Sequence, residues 1–424
     1  MFYISHFFHF LSLPRYNARM PFHPNTSYPL MSHRYCTKHA ALPTLASNRL
    51  LGFAASALVT LFFPIFLYEF FNFSIIVVLV WYVVAYLVRL PLHIWAAKIF
   101  SRTGLVPSMF IGTAGLLLFY FSLYALDIGI NFSPLALLGL AIVGLGVNAG
   151  FYWSPFHVDF AQFSTKGRRG REIGLYYVMQ QIVGIGAPVV AGWIMLQYSY
   201  NVLFLVSIAL IVASLIPLVF IPETKVQYEF GFWETFRQMY SKRYRALSFS
   251  MMAYGAESVV GIVIWPIFLY TIFEGRYLEV GLFAAVIVII GIGFQLILGR
   301  AVDRGSKRKF LHWGTEVYAL GWFIKSLVDS VLGVFAASTF HSFGLIMTRT
   351  PMDTILYEKA ADSGHYIDEF TVIKETALTI GRMLMVVLLI GITSWFSITA
   401  AFIVAAIVSL GISTLSKVRV EPEI

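Results

Sequence analysis

Between residues 49 and 416 the chain alternates long apolar runs with short polar connectors. The runs cover 49–70, 75–97, 106–126, 133–155, 173–196 and 201–221. After a polar stretch they resume at 247–272, 278–299, 311–328, 330–350, 370–394 and 396–416. About twenty apolar residues cross the hydrocarbon core of a bilayer as one helix. The pattern therefore predicts an all-α membrane protein with twelve transmembrane helices in two groups of six. The runs at 311–328 and 330–350 are the least distinct, since both are short and meet at a tight joint, Asp329-Ser330. The expected organisation is a tail at 1–45, a six-helix bundle at 46–221, a linker at 222–246, a second bundle at 247–417 and a tail at 418–424. Within the linker, Phe232, Trp233, Phe236, Met239 and Tyr240 recur at helical spacing, with Arg237, Lys242, Arg243 and Arg245 among the polar positions. That is the pattern of a helix lying at a membrane surface.

Composition agrees. Hydrophobic residues make up 59% of the chain and charged residues 12%, against roughly 45–50% and roughly 25% in soluble domains. Too little polar surface remains for a soluble protein of this length. The net charge of +9 could point to nucleic acid, but its distribution points elsewhere. Of the 30 Lys and Arg, 25 fall on the tails and on alternate connectors. The opposite connectors hold Arg276 alone, and Arg89, Lys325, Lys374 and Arg382 fall within spans. Such a bias sets orientation, so both termini are expected in the cytoplasm of a cell-membrane protein (plasma or inner membrane), with no nucleic-acid partner. Cys36 is the single cysteine, so neither an internal disulfide nor a CxxC-type zinc site is available. HExxH, P-loop and GxSxG patterns are absent, and neither metal nor cofactor is expected. GLGVNAG (144–150) superficially looks like a dinucleotide loop, yet it lies inside an apolar run, where small residues serve close helix packing. The segment FYISHFFHFLSL near the N-terminus is too short to span and lacks a basic leader. It reads as a disordered or surface-lying tail, and translation starting at Met1, Met20 or Met31 is equally compatible with it. The NFS sequons at Asn72 and Asn131 abut the membrane and are not expected to be glycosylated.

One connector is unusual. GRAVDRGSKRK, residues 299–309, holds six charged side chains in eleven positions. Its order, Gly299, Asp303, Arg304, Lys307, Arg308, resembles the G-x-x-x-D-R-x-G-R-R signature of the major facilitator superfamily, with Ser306 at the second glycine place. The matching connector of the first half, 97–106, keeps Arg102 and Gly104 but has Ala97 and Ser101 at the glycine and aspartate places. Gly186-Ala-Pro188-Val-Val-Ala191-Gly192 is similar to the G-P-x-x-G-G element of antiporter members, and Ile221-Pro222-Glu223-Thr224-Lys225 looks like a common close to the sixth span. Residues 150–188 lie without gaps on 344–382, which sets Gly150 on Gly344, Gly170 on Gly364 and Gln181 on Glu375. The resemblance implies the major facilitator fold, two pseudo-symmetric six-helix bundles, with spans one, four, seven and ten around a central cavity. It also implies that the 299–308 loop latches the halves on the cytoplasmic side. Independently of the family, the bases cannot enter hydrocarbon and suit anionic inner-leaflet lipid. Asp303, one acid among five bases, also admits a plain charge-balance role.

Ionisable groups inside spans are costly and are functional candidates by default. Glu257 falls near the middle of span seven. Glu375 and Arg382 are seven apart in span eleven and share a helix face. Arg382 needs an acid, a carbonyl or an anionic substrate, so Glu257 or Glu375 is expected to neutralise it in one state. Lys374 is placed to snorkel. Arg89 and His93 lie one turn apart in span two, and Lys325 and Asp329 one turn apart at the end of span nine, the latter pair read as structural. Gln180 and Gln181 in span five offer hydrogen bonds to a polar solute. Trp153, His157 and His341 are cavity candidates on the family's pattern. For each of these a buried structural role stands beside the functional one, and Trp81, Tyr82 and Trp265 suit packing or the interfacial belt.

The expected function is secondary transport of a small solute by alternating access. Any coupling ion would be a proton carried by Glu257 or Glu375, because a buried carboxylate can shed its charge by protonation. The span-five element leans slightly toward export. The partners expected are substrate, protons and lipid, with the chain monomeric. A non-transporting sensor or scaffold on the same fold is the alternative. An enzyme would need a catalytic constellation that the sequence does not contain.

Overall fold

The computed structural model describes residues 38–153, 155, 156, 159, 169–224, 230–304, 306–362 and 367–417. Of these, 38–40, 169–177, 299–304, 357–362 and 367–368 are described by their backbone alone. Span one is Lys38–Thr60 continued by Phe63–Phe70; spans two to six are Ile75–Thr103, Leu105–Asp127, Pro134–Phe151, Arg169–Gln197 and Tyr200–Leu218. Span seven runs from Arg245 to Ile272, and spans eight to eleven are Tyr277–Arg304, Lys307–Lys325, Val331–Asp362 and Ile367–Trp395. Span twelve is Ala400–Ser409 continued by a 3₁₀ segment, Leu410–Lys417. Eleven of these helices are long and apolar enough to cross a membrane. Span nine is the other: it opens on Lys307, Arg308 and Lys309 and carries Glu316 and Lys325, yet it packs lengthwise along span ten. The joint at 329–330 is tight, as its sequence suggests, because Val334 bonds back to the Ser330 carbonyl within one turn. Twelve crossings place the first and last described residues on one face, which we call the terminal face.

The packing scheme repeats. In the first half, spans one and six, three and four, two and four, three and six, and one and five are neighbours. In the second half the same scheme joins seven and twelve, nine and ten, eight and ten, nine and twelve, and seven and eleven. Two seams connect the halves, span two on span eleven and span five on span eight, again a symmetry-related pair. The linker helix Phe232–Met239 lies against spans two, seven and eleven, with Phe232 and Phe236 on the apolar cluster of Phe100 and Val372. Met239 is buried, whereas Trp233 and Tyr240 are largely exposed. The five aromatic and apolar residues of the linker therefore split between two faces.

A pentapeptide marks the symmetry. Pro-Ile-Phe-Leu-Tyr occurs at 64–68 and again at 266–270, at matching places in spans one and seven. Proline has no N–H, and its ring clashes with the carbonyl four residues back, so a helix must break or widen there. In span one the α-helix stops at Thr60 and resumes at Phe63. In span seven it widens into a π-turn over Val260–Ile264, where the Trp265 amide donates to the Val260 carbonyl. The segments beyond the two breaks, Phe63–Phe70 and Trp265–Ile272, meet at the face opposite the termini.

Glycine sets how closely the spans approach. A Cβ on Gly144 would lie 2.5 Å from the Gly115 carbonyl, and one on Gly150 would lie 2.7 Å from the Leu92 carbonyl, so GLGVNAG is a packing element. At the seam of spans five and eight, a Cβ on Gly281 would lie 2.2 Å from the Pro188 carbonyl, and one on Gly192 would lie 2.7 Å from the Tyr277 carbonyl. Inside the second half, a Cβ on Gly255 would lie 2.2 Å from the Leu378 carbonyl. Overpacking of this kind costs about 1–3 kcal/mol. Gly255→Val should therefore lower the unfolding temperature in detergent, while Gly391→Ala, which has nothing within 4 Å of the new methyl, should leave it unchanged. Equal behaviour of the two variants would contradict the close approach.

Candidate functional site

A cavity of about 150 Å³ lies between the halves, at the height of the two helix breaks. The first half contributes Phe53, Ala57, Thr60 and Leu61 from span one and Gly184 and Pro188 from span five. These walls are almost wholly apolar. The polar lining comes from spans seven, nine and ten of the second half: Glu257, Tyr318, Lys325, His341, Arg349 and their neighbours.

Glu257 is buried, and its Oε1 accepts from the Tyr318 hydroxyl at 2.5 Å and from the Trp322 indole N–H at 3.1 Å. Its Oε2 has no partner. Tyr318, Trp322 and Lys325 are spaced four and three apart, so one face of span nine presents all three. Lys325 is 3% exposed. Its Nζ sits 3.7 Å from the ring centre of Trp265 and 4.7 Å from that of Trp322. Among the described residues no carboxylate lies within ion-pair distance of it. The expected pairing with Asp329 is therefore not made, because the helix ends at Lys325 and leaves Asp329 exposed in the connector beyond it. Burying an ammonium costs several kcal/mol even after relaxation, and a desolvated cation–π contact returns about 2 kcal/mol. Two indoles return about 4 kcal/mol, of the order of that cost, but accept no conventional hydrogen bond from the ammonium. Span ten completes the wall: His341 packs its ring 4.6 Å from Tyr318 and 4.5 Å from Trp322, centre to centre. His341 Nδ1, Ser338 Oγ and Ser342 Oγ are buried without partners. The histidine fits there because span nine carries Gly321, whose missing Cβ would lie 2.8 Å from the His341 Cα.

The remaining candidates lie elsewhere. Arg89, His93 and Glu375 meet at the seam of spans two and eleven, outside this cavity: Arg89 Nε donates to His93 Nε2 at 2.9 Å, and Glu375 pairs with Arg89 at 3.8 Å and with Lys374 at 3.3 Å. Lys374 therefore serves an ion pair. Arg382 Nε donates to Ser258 Oγ at 3.3 Å, and Ser258 lines the cavity. Glu257 is thus held by the span-nine aromatics, and Glu375 by the seam cations. Gln180 and Gln181 are buried in span five, and the Gln181 amide nitrogen has no partner. Trp153 stacks under the Arg49 guanidinium at 4.3 Å, near the terminal face. His157 lies outside what is described, and Gly299, Asp303 and Arg304 are described by their backbone alone, at the end of span eight. Of the loop's other bases, Arg308 is exposed and Lys307 half-buried, and in the matching connector of the first half Arg102 is exposed.

Two further groups escaped the sequence reading. At the face opposite the termini, Glu69 Oε1 of span one accepts from the hydroxyls of Tyr270 and Tyr277, each at 2.5 Å. One carboxylate of the first half thus holds two phenols of the second. Tyr270 ends the second Pro-Ile-Phe-Leu-Tyr, and Glu69 follows the first, so the repeat was the available signal. At the terminal face, Gly104 has φ of 99° and lies directly against Glu223, which leaves no room for a Cβ. The Leu105 amide donates to the Thr224 carbonyl, and the Thr224 hydroxyl donates to Asp159. Glu223 and Thr224, of the sixth-span close, thereby tie together the ends of spans two, four and six.

The family model of the Major Facilitator Superfamily matches residues 45–364, and the chain belongs to that family. It is an integral multi-pass membrane protein. The Uncharacterized protein YqgE of Bacillus subtilis (strain 168) is 20% identical over 257 residues, 58% of this chain and 60% of that protein, so the match spans less than two thirds of the relative. A crystal structure of a variant of nucleoside transporter NupG is similar over 89% of this chain and 99% of its own, with a TM-score of 0.66 at 10% identity. At that identity the likeness is one of fold.

Burial pushes the Asp159 carboxyl up to about 7; the Thr224 hydrogen bond lowers it and Glu223 raises it further. The folded state thus holds a proton that the unfolded chain releases near the usual carboxylate range. The stabilisation is full below that range and is lost as pH rises through about 7. Wild-type unfolding temperature should fall over this window, and Asp159→Asn should flatten the fall. An unchanged slope in the variant would assign the titration to another group.

Proposed function

We propose that the chain is a secondary transporter that moves a small solute by rocking its two halves about the central cavity. The observation that carries this reading is the pair Glu257 and Lys325, both buried, both incompletely matched, and both in a cavity walled by both halves. A structural scaffold has no need of such groups at the depth where they cost most. The repeated packing scheme supplies two seams about which the halves can pivot. The Glu69 lock and the meeting of Phe63–Phe70 with Trp265–Ile272 close the face opposite the termini. We assign the terminal face to the cytoplasm on the Lys and Arg bias, with the 299–309 loop against inner-leaflet lipid. Proton coupling, if the cycle uses it, falls to Glu257, since Glu375 is engaged by two cations at the seam.

Accessibility tests this without knowledge of the substrate. With Cys36 replaced, a cysteine at Thr60 reports on the cavity. From the outer side of intact cells it should react slowly in the wild type, and at least several-fold faster when Tyr270→Phe and Tyr277→Phe remove both donors to Glu69. Hydrogen bonds to a charged acceptor are worth about 1.5–3 kcal/mol each, ample for such a shift. Equal rates in both proteins would contradict the lock. Cysteines placed at Lys309 should react only from the cytoplasmic side, and outer labelling there would reverse the assigned orientation.

A further inference from the structure

Within this transport reading, the arrangement of charge in the cavity narrows the class of solute. Glu257 and Lys325 approach the same indole, Trp322, from two directions: the carboxylate takes its N–H at 3.1 Å, and the ammonium sits 4.7 Å from its ring centre. They do not reach each other, since no ion pair joins them among the described residues. The carboxylate keeps one oxygen, Oε2, without a partner. The ammonium has aromatic faces on two sides and no hydrogen-bond acceptor assigned to it. Two opposite charges are thus held one indole apart, each incompletely satisfied, in one cavity; the third charged residue of its lining, Arg349, is stacked on the Tyr254 ring, 3.9 Å from its centre.

We propose that this site takes a small zwitterionic solute, its cationic group on Glu257 Oε2 and its carboxylate on Lys325 Nζ. Each protein charge rejects the singly charged ligand of its own sign: an organic anion at Lys325 meets the uncompensated Glu257, and an organic cation at Glu257 meets Lys325. A solute carrying both charges satisfies both groups at once. Ser338, Ser342 and His341, each with an unpartnered buried polar atom, supply hydrogen bonds along the span-ten wall. The apolar wall of Phe53, Ala57 and Leu61 faces the carbon chain. The volume, about 150 Å³, limits that chain to a few carbons.

Thermal shift of the purified full-length protein in detergent tests the class. The probes are the ω-amino acids from glycine to 6-aminohexanoate, with the carboxylate, the amine and the neutral amide of each chain length as controls. Zwitterions of one preferred length should raise the unfolding temperature, and their matched single-charge and neutral controls should not. Glu257→Gln and Lys325→Met should each weaken the apparent affinity of the preferred zwitterion at least tenfold. The proposal is overturned if a control of the same length stabilises as strongly as its zwitterion, or if no member of the series shifts the wild type. The wild-type comparison stands even where a variant folds poorly. Cavity-cysteine accessibility separates the two ideas: a null thermal shift in a protein whose cavity still opens to each side removes the zwitterion and leaves transport intact.

Discussion

Proline in spans one and seven, toward the face opposite the termini, is the constraint on which the centre of the molecule depends. Pro64 and Pro266 cannot continue an α-helical hydrogen-bond ladder, so each helix changes course just before them. The cavity opens at this height, bordered by Thr60 and Leu61 on one side and by Gly261, Ile262 and Trp265 on the other. Beyond the breaks, the two segments come together and close one face. A single local rule, applied twice by the repeated pentapeptide, thus yields both a closed end and a central void. Trp265, held immediately before Pro266, in turn presents its ring to the Lys325 ammonium.

The two seams related by the pseudo-twofold axis use different chemistry. Spans five and eight meet backbone to backbone, at Gly281 on Pro188 and Gly192 on Tyr277. Spans two and eleven meet through Arg89, His93, Lys374 and Glu375. The first seam is close-packed and tolerates little sliding, because packed interiors resist small changes of volume. The second is ionic and can exchange partners. The cavity is equally unsymmetrical, apolar on the first half and polar on the second. Symmetry therefore sets the frame, and the departures from it carry the chemistry.

Much of the frame was legible in the sequence. Hydropathy gave the spans, and the alternation of Lys and Arg fixed their parity through span nine, the one helix that composition alone leaves out. Glu257 and His341 were legible as buried polar groups in lining spans, and both line the cavity. What escaped was partnership. Lys325 pairs in sequence with Asp329 one turn away, but the helix end exposes the aspartate and turns the lysine inward, onto aromatic faces that come from two helices. Tyr318 and Trp322 read as ordinary span aromatics, since nothing local tells which indole N–H will meet a carboxylate on another helix. Arg89, His93 and Glu375 read as ionisable groups inside two different spans, and span packing brings them together on the seam of spans two and eleven, outside the cavity lining. Glu69 and Asp159 sit near span ends, where an acid ordinarily faces water.

The central claim is that the halves move as rigid bodies about the cavity. Double electron–electron resonance between spin labels at exposed positions on a protein lacking Cys36 tests it most directly. One pair, Ile128 and Leu327, spans the face opposite the termini, and another, Thr103 and His312, spans the terminal face. Introducing Glu69→Ala releases the lock. Rocking predicts that the first distance then lengthens by several ångströms while the second shortens, in the same fraction of molecules. Two unmoved distances, or a lengthening at one face with none of the opposite change at the other, would contradict it.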